Sequence, residues 1–157
     1  DIEGLGYDAE GHQLLLACKS CSKRYDDRRV IFGFDLNNRQ LKEKPVREIY
    51  KDSLRQFISQ WTDINPMIHK ALSKSFAPSA IAIHPITKDW YILSSVGKLL
   101  VVLDQEGNIQ NVEKLSARLM KQPEGLCFDT NGDLFITSEG DGGKGRLFKY
   151  VFQRANE

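Results

Sequence analysis

The chain has 157 residues, enough for one ordinary domain, and its 22 Lys and Arg against 21 Asp and Glu leave a net charge of +1. That balance provides no general attraction to nucleic acid or anionic lipid, and the longest strongly apolar run, Leu99 to Leu103, is far below the roughly 20 residues that span a bilayer. Three cysteines exclude a disulfide-dense secreted scaffold, and the opening Asp1-Ile2-Glu3 lacks the basic start of a targeting segment.

In chain order, Glu3-Gly4-Leu5-Gly6-Tyr7-Asp8 predicts a strand of small residues. Glu10-Gly11 predicts a tight hairpin with positive φ, and His12-Gln13-Leu14-Leu15-Leu16-Ala17 a bulkier second strand. Cys18-Lys19-Ser20-Cys21 then has CxxC spacing at a strand end. A redox pair belongs at a helix N-terminus, where the dipole lowers a thiol pKa, and no second CxxC completes a zinc site. Structural cysteines or a local bridge are therefore the expected reading. A third strand is predicted over Val30 to Leu36 and a weaker fourth near Gln40 to Val46.

Ile49, Tyr50, Leu54, Phe57, Ile58 and Trp61 follow at spacings of one, three and four, which predicts an amphipathic helix. Asn65-Pro66 reads as an N-cap followed by proline at the first helical position, opening a second helix through about Ser75. The strand order then resumes. Ser79-Ala80-Ile81-Ala82-Ile83-His84 precedes Asp89-Trp90-Tyr91-Ile92-Leu93-Ser94-Ser95, with a third strand over Leu99 to Asp104 and a fourth over Asn108 to Leu115. Glu124-Gly125-Leu126-Cys127-Phe128-Asp129, the turn Asn131-Gly132 and Asp133-Leu134-Phe135-Ile136-Thr137-Ser138-Glu139 repeat the unit, with a third strand over Arg146 to Phe152.

A small-residue strand, a polar turn and a bulkier strand, met three times, is the order expected where first strands crowd a central axis. The offset from Ser79 to Glu124 is 45 residues, close to the period of about 40–45 of propeller blades. The expected fold is all-β: a β-propeller with about three four-stranded blades, a partial ring, and a helical insertion between blades one and two. The spans are 1–46 for blade one, 46–76 for the insertion, 77–118 for blade two and 119–157 for blade three. Covering a blade edge or one end of the channel is preferred for the insertion over partner binding. Propellers close with roughly 4 to 8 blades, so the remaining blades are expected from the parent chain upstream of Asp1 or from a second copy. On this reading the chain is the C-terminal part of the propeller.

The strings Ile2-Glu3-Gly4-Leu5-Gly6-Tyr7-Asp8, Leu14-Leu15-Leu16-Ala17-Cys18-Lys19, Pro78-Ser79-Ala80-Ile81-Ala82-Ile83-His84-Pro85 and Gln122-Pro123-Glu124-Gly125-Leu126, with Thr137-Ser138-Glu139-Gly140, resemble the SdiA-regulated protein family. The resemblance implies a bacterial propeller, distantly related to NHL-repeat and esterase-like phytase propellers. It also implies a periplasmic or cell-envelope location, with a membrane tether in a segment preceding this chain. It implies no biochemical activity.

Glu3 and Glu124 occupy matching positions at the start of innermost strands, with Ser79 in the same place in blade two. A ring aims all three at one channel mouth, where gathered carboxylates need a cation, a basic residue or protons. Two readings follow: Glu3 and Glu124, together with ligands from the missing blades, as metal ligands for a hard divalent cation such as calcium, or each glutamate accepting hydrogen bonds from backbone amides of a neighbouring blade. Glu139 and Asp141, in the glycine-rich stretch Ser138 to Gly145, are further candidates for the mouth, and Lys19 could offset their charge. The plainer reading of that stretch is a flexible connection. Asp129-Thr130-Asn131-Gly132-Asp133 reads as a hairpin rather than a calcium loop, its glycine falling too early. His12, His69 and His84 have no metal-ligand spacing, no serine lies in a GxSxG elbow, and Trp61 and Trp90 read as core anchors. The expected function is an envelope-associated binding or scaffold module for a small-molecule or protein ligand, with calcium near the channel. The alternative is a metal-dependent hydrolase of an ester, lactone or phosphate ester.

Overall fold

The computed structural model describes residues 1–61, 65–140 and 142–153. Blade one contains β1 (Ile2–Asp8), β2 (Gln13–Cys18), β3 (Arg28–Asp35), β4 (Gln40–Leu41) and β5 (Arg47–Tyr50). Next come α1 (Lys51–Ile58) and α2 (Pro66–Ser75). Blade two is β6 (Ala77–Ile83), β7 (Trp90–Val96), β8 (Leu99–Leu103) and β9 (Ile109–Lys114), and blade three is β10 (Pro123–Phe128), β11 (Leu134–Ser138) and β12 (Arg146–Tyr150). Each sheet is antiparallel and runs in sequence order, except that β5 pairs with β3 beside β4. β1, β6 and β10 come together as the inner strands, β6 packing against both of the others. This is a β-propeller arrangement of three blades fanned about their first strands.

The small residues of the inner strands are there for contact. A Cβ on Gly4 would stand 2.8 Å from the Ala17 Cβ and 3.4 Å from the Ala80 backbone, and a Cβ on Gly6 would stand 2.7 Å from the Ile81 carbonyl oxygen. Bulk is instead carried by second and third strands, where Leu15, Ile31, Ile92, Leu99, Val101 and Leu103 are fully buried. The free energy of that burial, about 25 cal/mol per Å² of apolar surface, holds each blade to the next.

The outer strand of blade one differs from expectation. Gln40 and Leu41 pair with Asp35 and Phe34, the chain then loops out through Pro45, and Arg47–Tyr50 returns to pair with Ile31–Arg28. Pro45 lacks an amide hydrogen and cannot donate to a ladder, so the edge is interrupted there. Ile49 and Tyr50 therefore belong to a strand, and the helix begins at Lys51. Ile49 faces the core and Tyr50 solvent, a period-two alternation that the adjoining helical spacing obscures. Blade two has four strands and blade one has a split outer edge, and among the described residues blade three has three.

The helices do more than cover an edge. α1 lies against β5 and β9, the outermost strands of two neighbouring blades. Leu54, Ile58, Leu72 and Phe76 join Leu15, Ile31, Ile81 and Val112 in one buried cluster, with Trp90 inside it and Trp61 packed on its margin. Asn65 accepts a hydrogen bond at Oδ1 from the Met67 amide (2.9 Å) and Pro66 follows at the first helical position, the start its sequence requires.

The hairpins closing the inner strands share one device. Asp8 accepts the Gly11 amide at Oδ1 (2.9 Å), and Asp129 accepts the Asn131 and Asp133 amides (each 2.9 Å), so the 129–133 segment is a turn whose carboxylate is committed to its own backbone. Gly132 has the expected positive φ, whereas in blade one His12, not Gly11, adopts it. In blade two His84 stands where the others have aspartate, and its Nδ1 accepts the Ile86 and Thr87 amides (3.2 and 3.0 Å). His84 is buried among Tyr91, Phe128 and Phe152, the last at 4.6 Å between ring centroids, so it joins blade two to blade three.

Burial holds the His84 pKa below its ordinary value, outweighing the opposing influence of the Gly132 backbone and of Asp89. The unfolded chain, with a histidine pKa of about 6.5, takes up a proton that the folded chain resists. Stability contributed by neutral His84 is thus complete above about pH 6.5 and declines as pH falls through that value toward the folded pKa. Urea midpoints are expected to drop between pH 7.5 and 5. His84→Asn, which keeps an acceptor and removes the titration, should flatten that slope; an unchanged slope would assign it to other groups.

Candidate functional site

Glu3, Ser79 and Glu124 are the extra residues of three equivalent β-bulges. In blade one Ile2 pairs with Cys18 and Gly4 with Ala17, and Glu3 has no partner; Pro78 and Ala80 leave out Ser79 in the same way, as Pro123 and Gly125 leave out Glu124. A bulge turns its extra side chain away from the alternation of the strand. Here it turns all three into one cavity of about 340 Å³, completed by Lys19, Ala77, Ser95 and Val96.

The three positions are used differently. Lys19 Nζ donates to Glu3 Oε1 at 2.7 Å, both side chains more than a third exposed, so the pair adds only about 0.2–1 kcal/mol and matters mainly for where it puts charge. Ser79 is buried; it donates to the Pro123 carbonyl (3.1 Å) and accepts the Ser95 amide (3.1 Å), tying the inner strands of blades two and three together. Glu124 is exposed, and its carboxylate has no hydrogen-bond or ion-pair partner among the described residues. Among the described residues the site therefore holds one balanced ion pair and one uncompensated carboxylate.

Lys19 is placed by its own short loop. Cys18 and Cys21 are joined by a disulfide, and the Lys19 and Ser20 amides both donate to the Asp1 carbonyl (3.0 and 3.2 Å). Cys18 is buried under Tyr25 and Val30, which anchors one end of the loop, and Cys127 is free and exposed.

The structure thus brings together four of the candidates, Glu3, Lys19, Ser79 and Glu124. Glu139 follows Ser138 as Lys19 follows Cys18 and is exposed, but it does not line the cavity among the described residues. Asp141 lies outside the described residues. Neither glutamate of the mouth accepts a backbone amide of a neighbouring blade among the described residues; in blade two Ser79 makes the inter-blade bond instead, as a donor to the Pro123 carbonyl. Ser95 and Val96 were not anticipated, although Ser95 follows Ser94 as Lys19 follows Cys18, and aligning the second strands on that position locates it. Among the described residues no group of three or more His, Cys, Asp or Glu is arranged to hold a metal ion, and no helix is long and apolar enough to cross a membrane.

No curated protein matches the chain in sequence. Among solved structures, a luciferin-regenerating enzyme is similar with a TM-score of 0.57 at 11% identity, over 96% of this chain and 45% of that one. A putative oxidoreductase (glucose dehydrogenase) from Thermus thermophilus is similar with a TM-score of 0.52 at 15% identity, over 95% and 43%. At these identities the likeness is one of fold alone, and the chain spans less than half of the length of either. The family model described as SdiA-regulated matches residues 1–142. That match takes in all three inner strands with their bulges and both helices, and on it the chain belongs to the SdiA-regulated family.

Proposed function

We propose that this chain is part of a binding or scaffold propeller of the bacterial cell envelope, and that the bulge-lined mouth is its ligand seat. The observation that carries the reading is the convergence of three equivalent bulge residues on one cavity, with Glu124 left uncompensated. A carboxylate facing a polar cavity beside an already paired Glu3 favours a ligand that presents a cation or several hydrogen-bond donors, such as an amine, a guanidinium or a basic side chain of a protein. The disulfide between Cys18 and Cys21 supports the envelope location, since such bonds persist in oxidising compartments.

Calcium enters the proposal as a competitor for the same carboxylates. A hard dication takes six to eight oxygens, the mouth offers two carboxylates among the described residues, and Lys19 already holds one of them. On the described residues alone that set is incomplete, so a calcium ion here would need further oxygens from the rest of the ring.

Arginine amide, a guanidinium without a carboxylate, is the probe. We expect saturable binding by titration calorimetry, weakened about tenfold in Glu124→Gln, the loss of roughly one charge-assisted pair. Binding indifferent to that change, or calcium binding at micromolar concentration lost in Glu3→Gln, would overturn this account of the mouth. Ester or phosphate-ester turnover abolished by Glu124→Gln would replace the binding reading with the hydrolase one.

A further inference from the structure

A second cavity, of about 390 Å³, lies at the opposite end of the inner strands, between blades one and two, where Tyr7, Asp8, Arg47, His84, Lys88 and Trp90 are among its lining. Of its two carboxylates, one is held by neutral donors and one by a cation. Asp8 accepts the Gly11 amide (2.9 Å) and Gln13 Nε2 (2.8 Å), and Glu10 pairs with Lys88 Nζ at 3.0 Å. Arg47 is not balanced in this way. Its Nη1 donates to the Val46 carbonyl (2.8 Å) and its Nη2 to the Gln105 carbonyl (2.5 Å), both neutral acceptors, and no carboxylate lies within ion-pair distance among the described residues. Its Nε is buried with no acceptor.

The guanidinium also has a fixed plane. Its Cζ lies 4.6 Å from the centroid of the Trp90 ring, and Trp90 is itself a core residue. Of the five N–H groups a guanidinium carries, two are spent on carbonyls, which hold the fork in place, and with Nε buried one N–H on each Nη is left for a ligand. The guanidinium charge is met only by neutral carbonyls, and an arriving oxyanion would compensate it. The cavity is within the size range of small-molecule sites, about 300–1,000 Å³, and a pre-set arginine fork matches carboxylate and phosphate geometry.

We propose that this cavity is a second binding site, for a small ligand bearing a carboxylate or a phosphate, with Arg47 as its anion fork and Trp90 holding that fork in plane. It requires nothing of the mouth, which lies at the other end of β1 and β6 and has the opposite charge preference.

The test uses the whole chain, titrated separately with benzoate and with inorganic phosphate at constant ionic strength. The Trp90 indole N–H and the Arg47 Nε–H resonances are followed by NMR. Saturable shifts of both resonances are expected with at least one probe, and the probe that succeeds distinguishes a carboxylate from a phosphate ligand. Arg47→Met should weaken that binding about tenfold or more, and Arg47→Lys, which keeps the charge and loses the fork, by about threefold or more. Glu124→Gln should leave it unchanged. The proposal fails if neither probe moves both resonances, or if binding is the same in Arg47→Met. Should Arg47→Met lose its cooperative thermal transition, Arg47→Lys decides alone, and unaltered affinity in it overturns the site.

Discussion

Phe76→Ala is expected to lower stability by about 3–5 kcal/mol, a large share of the roughly 5–15 kcal/mol that holds a domain of ordinary size together. Phe76 has no exposed surface and sits at the corner where α2 ends and β6 begins. Its amide donates to the Leu72 carbonyl (3.1 Å), and its own carbonyl accepts Arg29 Nε (2.8 Å) from β3 of blade one. Its ring belongs to the cluster that Leu54 and Ile58 of α1 share with Leu15, Ile31 and Ile81 of the blades. Truncation therefore leaves a cavity where the insertion and two blades meet, and the neighbours collapse into it only partly. Urea unfolding followed by circular dichroism and tryptophan fluorescence measures the loss. A change under about 1 kcal/mol would mean that the helices contribute little to the common core. Met67→Ala, on the solvent face of α2 at 84% exposure, is the control and should fall within about 0.5 kcal/mol of the parent chain.

Gly6→Ala is expected to cost about 1–3 kcal/mol by overpacking. An alanine ordinarily gains about 0.4–1 kcal/mol over glycine by restricting the unfolded chain. Here that gain loses to sterics. The new methyl would stand 2.7 Å from the Ile81 carbonyl oxygen and 3.1 Å from Ile81 Cγ2, and the first of these is backbone that cannot rotate aside. β1 and β6 must separate to admit it. That separation also draws Glu3 away from Ser79 and Glu124, so the arginine-amide affinity of the mouth should fall in the same variant. Gly145→Ala is the matched control, since its nearest heavy atom would be 3.6 Å away. Equal stabilities for the two variants would show that the inner strands are not closely apposed.

These two positions mark how far the sequence alone could be read. The repeated order of small strand, turn and bulky strand determined three blades and their inner strands, because the requirement for close approach at the axis is written directly into residue size at Gly4, Gly6 and Ala80. The matching of Glu3, Ser79 and Glu124 was legible for the same reason: equivalent places in a repeat occupy equivalent places in space. The sequence also left Cys18 and Cys21 open between a bridge and free thiols, and it placed Ile49 and Tyr50 in a helix that starts only at Lys51. One apolar spacing fits both periods across so short a junction.

What only the tertiary structure decided concerns partners far apart in the chain. The bulges turn a positional match into a shared cavity, Lys19 rather than a backbone amide meets Glu3, and Ser79 spends its hydroxyl on blade three. Phe76 joins the insertion to both blades, and Arg47 is held between Trp90 and the Gln105 carbonyl, residues 43 and 58 positions further on. Local composition fixes how each segment folds, because propensity and period act over a few neighbours. Which charges end up balanced and which stay free depends on how whole blades pack.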